Sequence, residues 1–168
     1  MPSHAVLIVD DEKNVLSALE RALRKEPYAT LTARDAEEGL KLLSARDVSI
    51  VISDYNMPYV NGLEFLQQVK EAYPHMLSIM LTGQAEMDVA IQAINEAGVY
   101  KFILKPWNDD DLRITLRRAL ESLDLVHERD RLLRKIVSRD TILKQLERKY
   151  PGITKVERDE DGYLLIDQ

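Results

Sequence analysis

The chain of 168 residues contains no cysteine. That absence excludes disulfides and thiolate metal sites, and it fits a reducing, cytoplasmic compartment. No apolar run approaches the roughly 20 residues of a membrane span, so no membrane contact is expected. The N-terminal Met1-Pro2-Ser3-His4 places no basic region ahead of the short apolar run, so no signal peptide is expected. Positive charge is in deficit. The net charge of -6 argues against nucleic-acid binding by the chain as a whole. Between Pro106 and Pro151 there is neither glycine nor proline, so nothing there interrupts a helix. What is present is an apolar content of 45%, which supports a real core and excludes wholesale disorder. The length suits one ordinary domain with an appendage.

Short apolar runs and helical periodicities alternate along the chain. Ala5 to Val9 reads as a buried strand, stopped at once by Asp10, Asp11 and Glu12. Val15, Leu16, Leu19, Ala22 and Leu23 then share a helical face that ends before Pro27. Tyr28 to Ala33 predicts a second strand, and Asp35 is placed to cap a helix reaching about Ala45. Val48 to Ser53 predicts the third strand, and Gly62 opens a helix carrying Leu63, Phe65, Leu66 and Val69. Leu77 to Leu81 predicts the fourth strand, followed by a helix over 86–97 that Gly98 closes. Tyr100 to Leu104 predicts the fifth, before a helix that starts at the acidic Asp109, Asp110 and Asp111. Five such β–α units predict an α/β fold. Its centre is a doubly wound, five-stranded parallel sheet of the flavodoxin-like order 2-1-3-4-5.

A parallel sheet brings particular polar residues to one edge. Asp10 and Asp11 follow the first strand, Asp54 the third, Thr82 the fourth and Lys105 the fifth. Carboxyl ends of strands are where open α/β sheets bind ligands. Three crowded acids resist ionisation unless a cation neutralises them. Oxygen-only ligands select a hard cation, with Mg²⁺ the expected one, and Mg²⁺ sites commonly add phosphate oxygens. A lysine and a hydroxyl beside the acids complete a phosphoryl cradle. A carboxylate nucleophile forming an aspartyl-phosphate is an established route.

These residues resemble the receiver domain of two-component response regulators. The resemblance rests on Val9-Asp10-Asp11-Glu12, Asp54 in Asp-Tyr-Asn-Met-Pro with Gly62 beyond it, Thr82-Gly83 and Lys105-Pro106, over residues 4 to 121. Each motif alone is weak, but all four in order, each at a strand end, are specific. The resemblance implies that Asp54 accepts a phosphoryl group from a histidine kinase or phosphotransfer protein. It implies Mg²⁺ on Asp11 and Asp54 directly, on the Asn56 backbone carbonyl, and on Asp10 through water. It implies that Lys105 contacts a phosphoryl oxygen and that Thr82 and Phe102 act as switch residues. Asn56 and Gln84 occupy variable positions that tune aspartyl-phosphate hydrolysis in the family. A protein of this kind is a signalling phosphoprotein rather than a turnover enzyme, apart from its own phosphotransfer and dephosphorylation.

Each residue also has a plainer role. Asp10 and Asp11 could cap a helix, Thr82 could simply end a strand, Lys105 could be a solvated lysine, and Phe102 and Trp107 could be packing. Lys-Pro after a strand marks a specific turn, where a cis bond is admissible but rare. His4, His75 and His127 read as surface.

The remainder divides at about residue 121. Over 122–150, Leu123, Val126, Leu133 and Val137 keep a 3-4 spacing interrupted by Asp130, while Leu132, Ile136, Leu143, Leu146 and Tyr150 run in a second phase. Arg129, Arg131, Arg134, Lys135, Arg139, Lys144, Arg148 and Lys149 lace the same helix. This pattern predicts a coiled coil and a homodimer, with a helix folded back on its own domain as the alternative. Over 151–168, Pro151-Gly152 and the Asp159-Glu160-Asp161-Gly162 tetrapeptide predict a short β-hairpin. The acids there do not complete a calcium-loop pattern. Two other functions share parts of this pattern. A DNA-binding transcription regulator needs a recognition module, and no helix-turn-helix is legible after Leu123. A metal-dependent phosphatase lacks support from the four motifs together. The downstream protein partner is not encoded in any motif.

Overall fold

The computed structural model describes residues 3–153. Five strands alternate with five helices. They are β1 (Ala5–Val9), α1 (Lys13–Leu23), β2 (Ala29–Ala33), α2 (Ala36–Ala45), β3 (Ile50–Asp54), α3 (Gly62–Ala72), β4 (Leu77–Thr82), α4 (Met87–Glu96), β5 (Lys101–Leu104) and α5 (Asp109–Lys149). A short 3-10 turn, Gln84–Glu86, precedes α4. All strand pairs are parallel and the order is β2-β1-β3-β4-β5. This is the predicted flavodoxin-like sheet.

The central strands are apolar on both faces because both faces are covered. Val6, Ile8, Ile50, Ile52, Ile79 and Leu81 face one way and pack with Leu16, Leu19, Leu23, Leu112, Leu116 and Leu123 of α1 and α5. Leu7, Val9, Val51 and Met80 face the other way, against Leu43, Phe65, Leu66 and Val69 of α2 and α3. The register aligns Ile8 with Ile52, and Ile52 with Ile79. The strand ends that carry polar residues therefore come out at one edge.

Local signals set several boundaries. Asp35 caps α2 by accepting the Glu38 N–H at 2.8 Å, and Asn61 caps α3 by accepting that of Glu64 at 2.9 Å. Gly98 takes φ +63 after α4, the left-handed conformation that suits glycine at a helix end. For α5 the cap is Asn108, whose side chain accepts the N–H groups of Asp110 and Asp111. The three aspartates suit the dipole, but the cap lies one residue upstream of them.

The chain divides into two compact units, Met1–Leu123 and Asp124–Gln168. Leu123 is buried with the first-unit core, where the periodicity alone had assigned it to the extension's apolar seam. Within the second unit α5 continues to Lys149, and Leu125, Leu132, Leu133, Ile136, Val137, Ile142 and Tyr150 are exposed. Gly152 follows at φ +91. The expected hairpin falls on 151–168 and, beyond residue 153, lies outside the described residues. No helix among the described residues is long and apolar enough to cross a membrane.

Candidate functional site

The carboxyl edge of the sheet gathers the acids. One oxygen each from Asp10, Asp11 and Asp54 lies within 4.8 Å of the others. Asp10 and Asp54 are buried, and Asp11 is exposed. Asp54 is the last residue of β3 and Asp10 follows β1, so adjacent strands hold these two side by side. The donor set is oxygen only and carries up to three negative charges. It fits a hard divalent cation of the Mg²⁺ kind.

Lys105 reaches into the cluster from the end of β5. Its Nζ lies 2.7 Å from Asp54 Oδ1 and 3.3 Å from Asp10 Oδ2. Its backbone N–H donates to the Thr82 carbonyl at 2.8 Å, which fixes the stem of the side chain to β4. The peptide bond from Lys105 to Pro106 is cis.

Burial is the largest influence on the two buried acids. Desolvation raises the Asp54 pKa above the usual carboxylate range. The hydrogen bond and charge of Lys105 offset this in part, and the charges of Asp11 and Glu12 add to it. Asp10 is also raised, first by burial and then by the charge of Asp54, against the opposing Glu12 N–H and Lys105. Burial works against the Lys105 ammonium, yet its hydrogen bond to Asp54 and the charges of Asp54 and Asp10 lift its pKa. Three carboxylates grouped with one lysine ionise together most readily when a cation joins them.

The other predicted residues surround this centre in different ways. Thr82 is buried at the end of β4, with its hydroxyl 3.4 Å from the Gly83 carbonyl oxygen. Gln84 is exposed in the turn that follows. Phe102 is half-buried and packs on the α2–α3 side of the sheet. Trp107 packs against the opposite core, and its Nε1 donates to Asp109 at 3.1 Å. Asn56 is exposed, and its Nδ2 donates to Glu86 Oε1 at 2.9 Å across 30 residues of sequence. Sequence reasoning missed Glu86. The available signal was an acid three residues after Gly83, a glycine that leaves room for a folded-back carboxylate.

The loop after β3 is tightly specified. The Tyr55 N–H donates to the Leu81 carbonyl at 2.9 Å, and the Gly62 N–H to the Tyr55 carbonyl at 2.8 Å. A Cβ at Gly62 would lie 1.9 Å from the Asp54 carbonyl oxygen, so only glycine fits. Tyr59 adopts φ 70, a left-handed conformation unfavourable for an aromatic residue, with its side chain fully exposed at 103%.

The family model described as the response regulator receiver domain matches residues 6–117. The chain belongs to that family. The receiver is 38% identical over 140 residues to the hydrogenase transcriptional regulatory protein HoxA of Cupriavidus necator, covering 83% of this chain and 29% of HoxA. It is 34% identical over 151 residues to the nitrogen assimilation regulatory protein NtrX of Azorhizobium caulinodans, covering 86% of this chain and 33% of NtrX. Among solved structures it resembles the signal receiver domain of an HD domain-containing protein from Pseudomonas fluorescens. That match has a TM-score of 0.69 and 36% identity, covering 72% of this chain and 97% of the other. The chain thus spans about a third or less of the two curated relatives, while it covers nearly the whole isolated receiver. It is a response regulator receiver, and membership implies a phosphodonor partner.

Proposed function

We infer that this receiver takes a phosphoryl group on Asp54 from a histidine kinase or phosphotransfer protein and switches protein contacts through α5. The observation that carries the reading is the buried Asp54 carboxylate, held 2.7 Å from Lys105 Nζ and grouped with Asp10 and Asp11. An Asp54 carboxylate oxygen attacks the donor phosphorus. A new P–O bond forms, the donor's P–N bond breaks, and the imidazole nitrogen keeps the electron pair. Asp11 and Asp54 would hold Mg²⁺ directly, with the Asn56 carbonyl beside them and Asp10 behind a water. When bound, that ion neutralises charge on the transferring phosphoryl oxygens. Lys105, already in the cluster, exchanges its bond to the Asp54 carboxylate for one to a phosphoryl oxygen. Thr82 lies at the neighbouring strand end to accept the switch role, with Phe102 responding by packing because it has no hydroxyl.

The output reading rests on the second unit. Its helix exposes large aliphatic side chains between Leu125 and Ile142. A second copy of the chain is the simplest surface to cover them, giving a dimeric coiled coil over about 122–150, with about 1–121 as the receiver. The chain then acts as a cytoplasmic phosphoprotein without a turnover substrate. The relatives' own activities in transcription are not carried over, because less than half of each relative is matched.

Incubation with acetyl phosphate and Mg²⁺ should give one hydroxylamine-sensitive adduct, mapping to Asp54 and absent from Asp54→Asn. Native-level label in that variant would overturn the assignment. Loss of affinity for Mg²⁺ should be greater in Asp11→Asn than in Asp10→Asn. Thr82→Ala should still be labelled but should transmit poorly to oligomeric state.

A further inference from the structure

We propose that Glu86 is a positioning residue that holds the Asn56 amide away from Asp54 and so lengthens the life of the aspartyl-phosphate. The proposal deepens the receiver reading above and rests on it. Asn56 Nδ2 donates to Glu86 Oε1 at 2.9 Å, joining the loop after β3 to the turn that opens α4. The carboxylate folds back over Gly83. A Cβ at Gly83 would lie 2.7 Å from Glu86 Oε2, so the carboxylate occupies the space a side chain there would fill. The Glu86 N–H also donates to the Gly83 carbonyl at 3.3 Å, which turns the residue back toward Thr82. Glu86 is half-buried. Its side chain accepts from Asn56, two residues beyond Asp54.

The consequence concerns water. Hydrolysis needs a water oxygen to bond to phosphorus opposite the Asp54 oxygen. The P–O bond to Asp54 then breaks, its electron pair returns to the carboxylate, and the water gives up a proton as inorganic phosphate leaves. A free primary amide two residues from Asp54 can orient such a water. An amide donating to Glu86 has one N–H already engaged and its plane fixed toward α4. The Asn56–Glu86 bond thus withdraws one N–H that could orient that water. Glutamine at 86 keeps an acceptor for Asn56 without the charge, and alanine removes both.

The full chain is labelled with acetyl phosphate and Mg²⁺, freed of donor, and followed by loss of the hydroxylamine-sensitive adduct. Glu86→Ala should decay about three- to tenfold faster than wild type, and Glu86→Gln should stay within about twofold of it, on the scale of one lost hydrogen bond. In an Asn56→Ala background, Glu86→Ala should add nothing, because the pair acts as a unit. Unchanged or slower decay in Glu86→Ala, or Glu86→Gln decaying as fast as Glu86→Ala, overturns the proposal. Wild type that takes no label at all overturns both this proposal and the receiver reading. Wild type that is labelled, with decay indifferent to residue 86, overturns this one alone.

Discussion

The two parts of α5 have the same backbone and opposite environments. From Leu112 to Leu123 the helix buries Leu112, Thr115, Leu116, Ala119, Leu120 and Leu123. Beyond Leu123 its aliphatic residues are exposed, Leu133 at 52% and Val137 at 64% among them. Hydrogen bonding and the absence of breakers are alike in both parts, so neither distinguishes them. Only the first part has a sheet to bury its apolar face. Helices in proteins gain most of their stability from such burial, so the second part is the one that needs a partner surface.

That contrast can be broken most severely where the partner surface is expected. Leu133→Asp with Val137→Asp should turn the proposed dimer into a monomer while Asp54 labelling continues. Each aliphatic group buried at an interface contributes about 1.5–3 kcal/mol, so the dimer should weaken at least about a hundredfold. Sedimentation with and without a beryllofluoride phosphoryl mimic measures it. A monomeric wild type under both conditions would refute the dimer.

A milder perturbation sharpens the contrast within one experiment. Leu116→Ala should cost the first unit about 2–5 kcal/mol, because Leu116 is fully buried between sheet and helix. Leu133→Ala should change the first unit's stability by no more than about 0.5 kcal/mol. Denaturant unfolding, followed by Trp107 fluorescence, separates them. Equal losses would show that the helix is energetically one element.

The third perturbation is electrostatic and should reach only the first unit. Asp10 and Asp54 hold their protons more tightly folded than unfolded, because burial raises both. Without metal, their effect on stability is therefore favourable below the ordinary carboxylate pKa. It is lost as pH rises through the folded values. Asp54→Asn should raise the Tm in chelator at neutral pH by a few degrees, on the scale of about 1 kcal/mol. The gain should shrink as pH falls toward about 4 and should narrow when Mg²⁺ is added. Lys105 has the same sign at high pH, since its raised pKa makes its contribution full below the ordinary lysine value and lost as pH rises through the folded one.

The smallest effect should come from the second unit's charges. Glu128 and Arg131 pair at 2.7 Å on the helix surface. Arg131→Ala should leave the unfolding midpoint unchanged within error, since exposed pairs are screened. A clear loss would mean that this pair is covered by something in solution.

Strand runs such as Ala5 to Val9 were legible because burial on both faces leaves an uninterrupted apolar signature. The caps at Asp35 and Gly98 were legible because each rests on chemistry local to its own residue. Leu123 was not, because 3-4 spacing is the same whether a sheet or another helix lies opposite. The helix start at the three aspartates was legible from their fit to the dipole, while the Asn108 cap before them was not read. At the site, the edge that gathers Asp10, Asp11, Asp54 and Lys105 could be read once the sheet was taken as parallel. The direct Lys105–Asp54 pair and the Asn56–Glu86 bond could not. Both join residues far apart in sequence, and their geometry depends on which loops meet rather than on any spacing.

Gly62 carries one more implication, for how such a site tolerates change. Its missing side chain lets the start of α3 lie directly on the Asp54 carbonyl, and its N–H joins backbone bonds that run through Tyr55 to Leu81. The floor beneath the acids is thus tied together by main-chain atoms, which every sequence supplies. Exposed side chains at 56, 59 and 84 can be exchanged freely above it. A library varied at those three positions should retain the fold throughout and spread its differences into the kinetics, whereas any variant at 62 should lose both together.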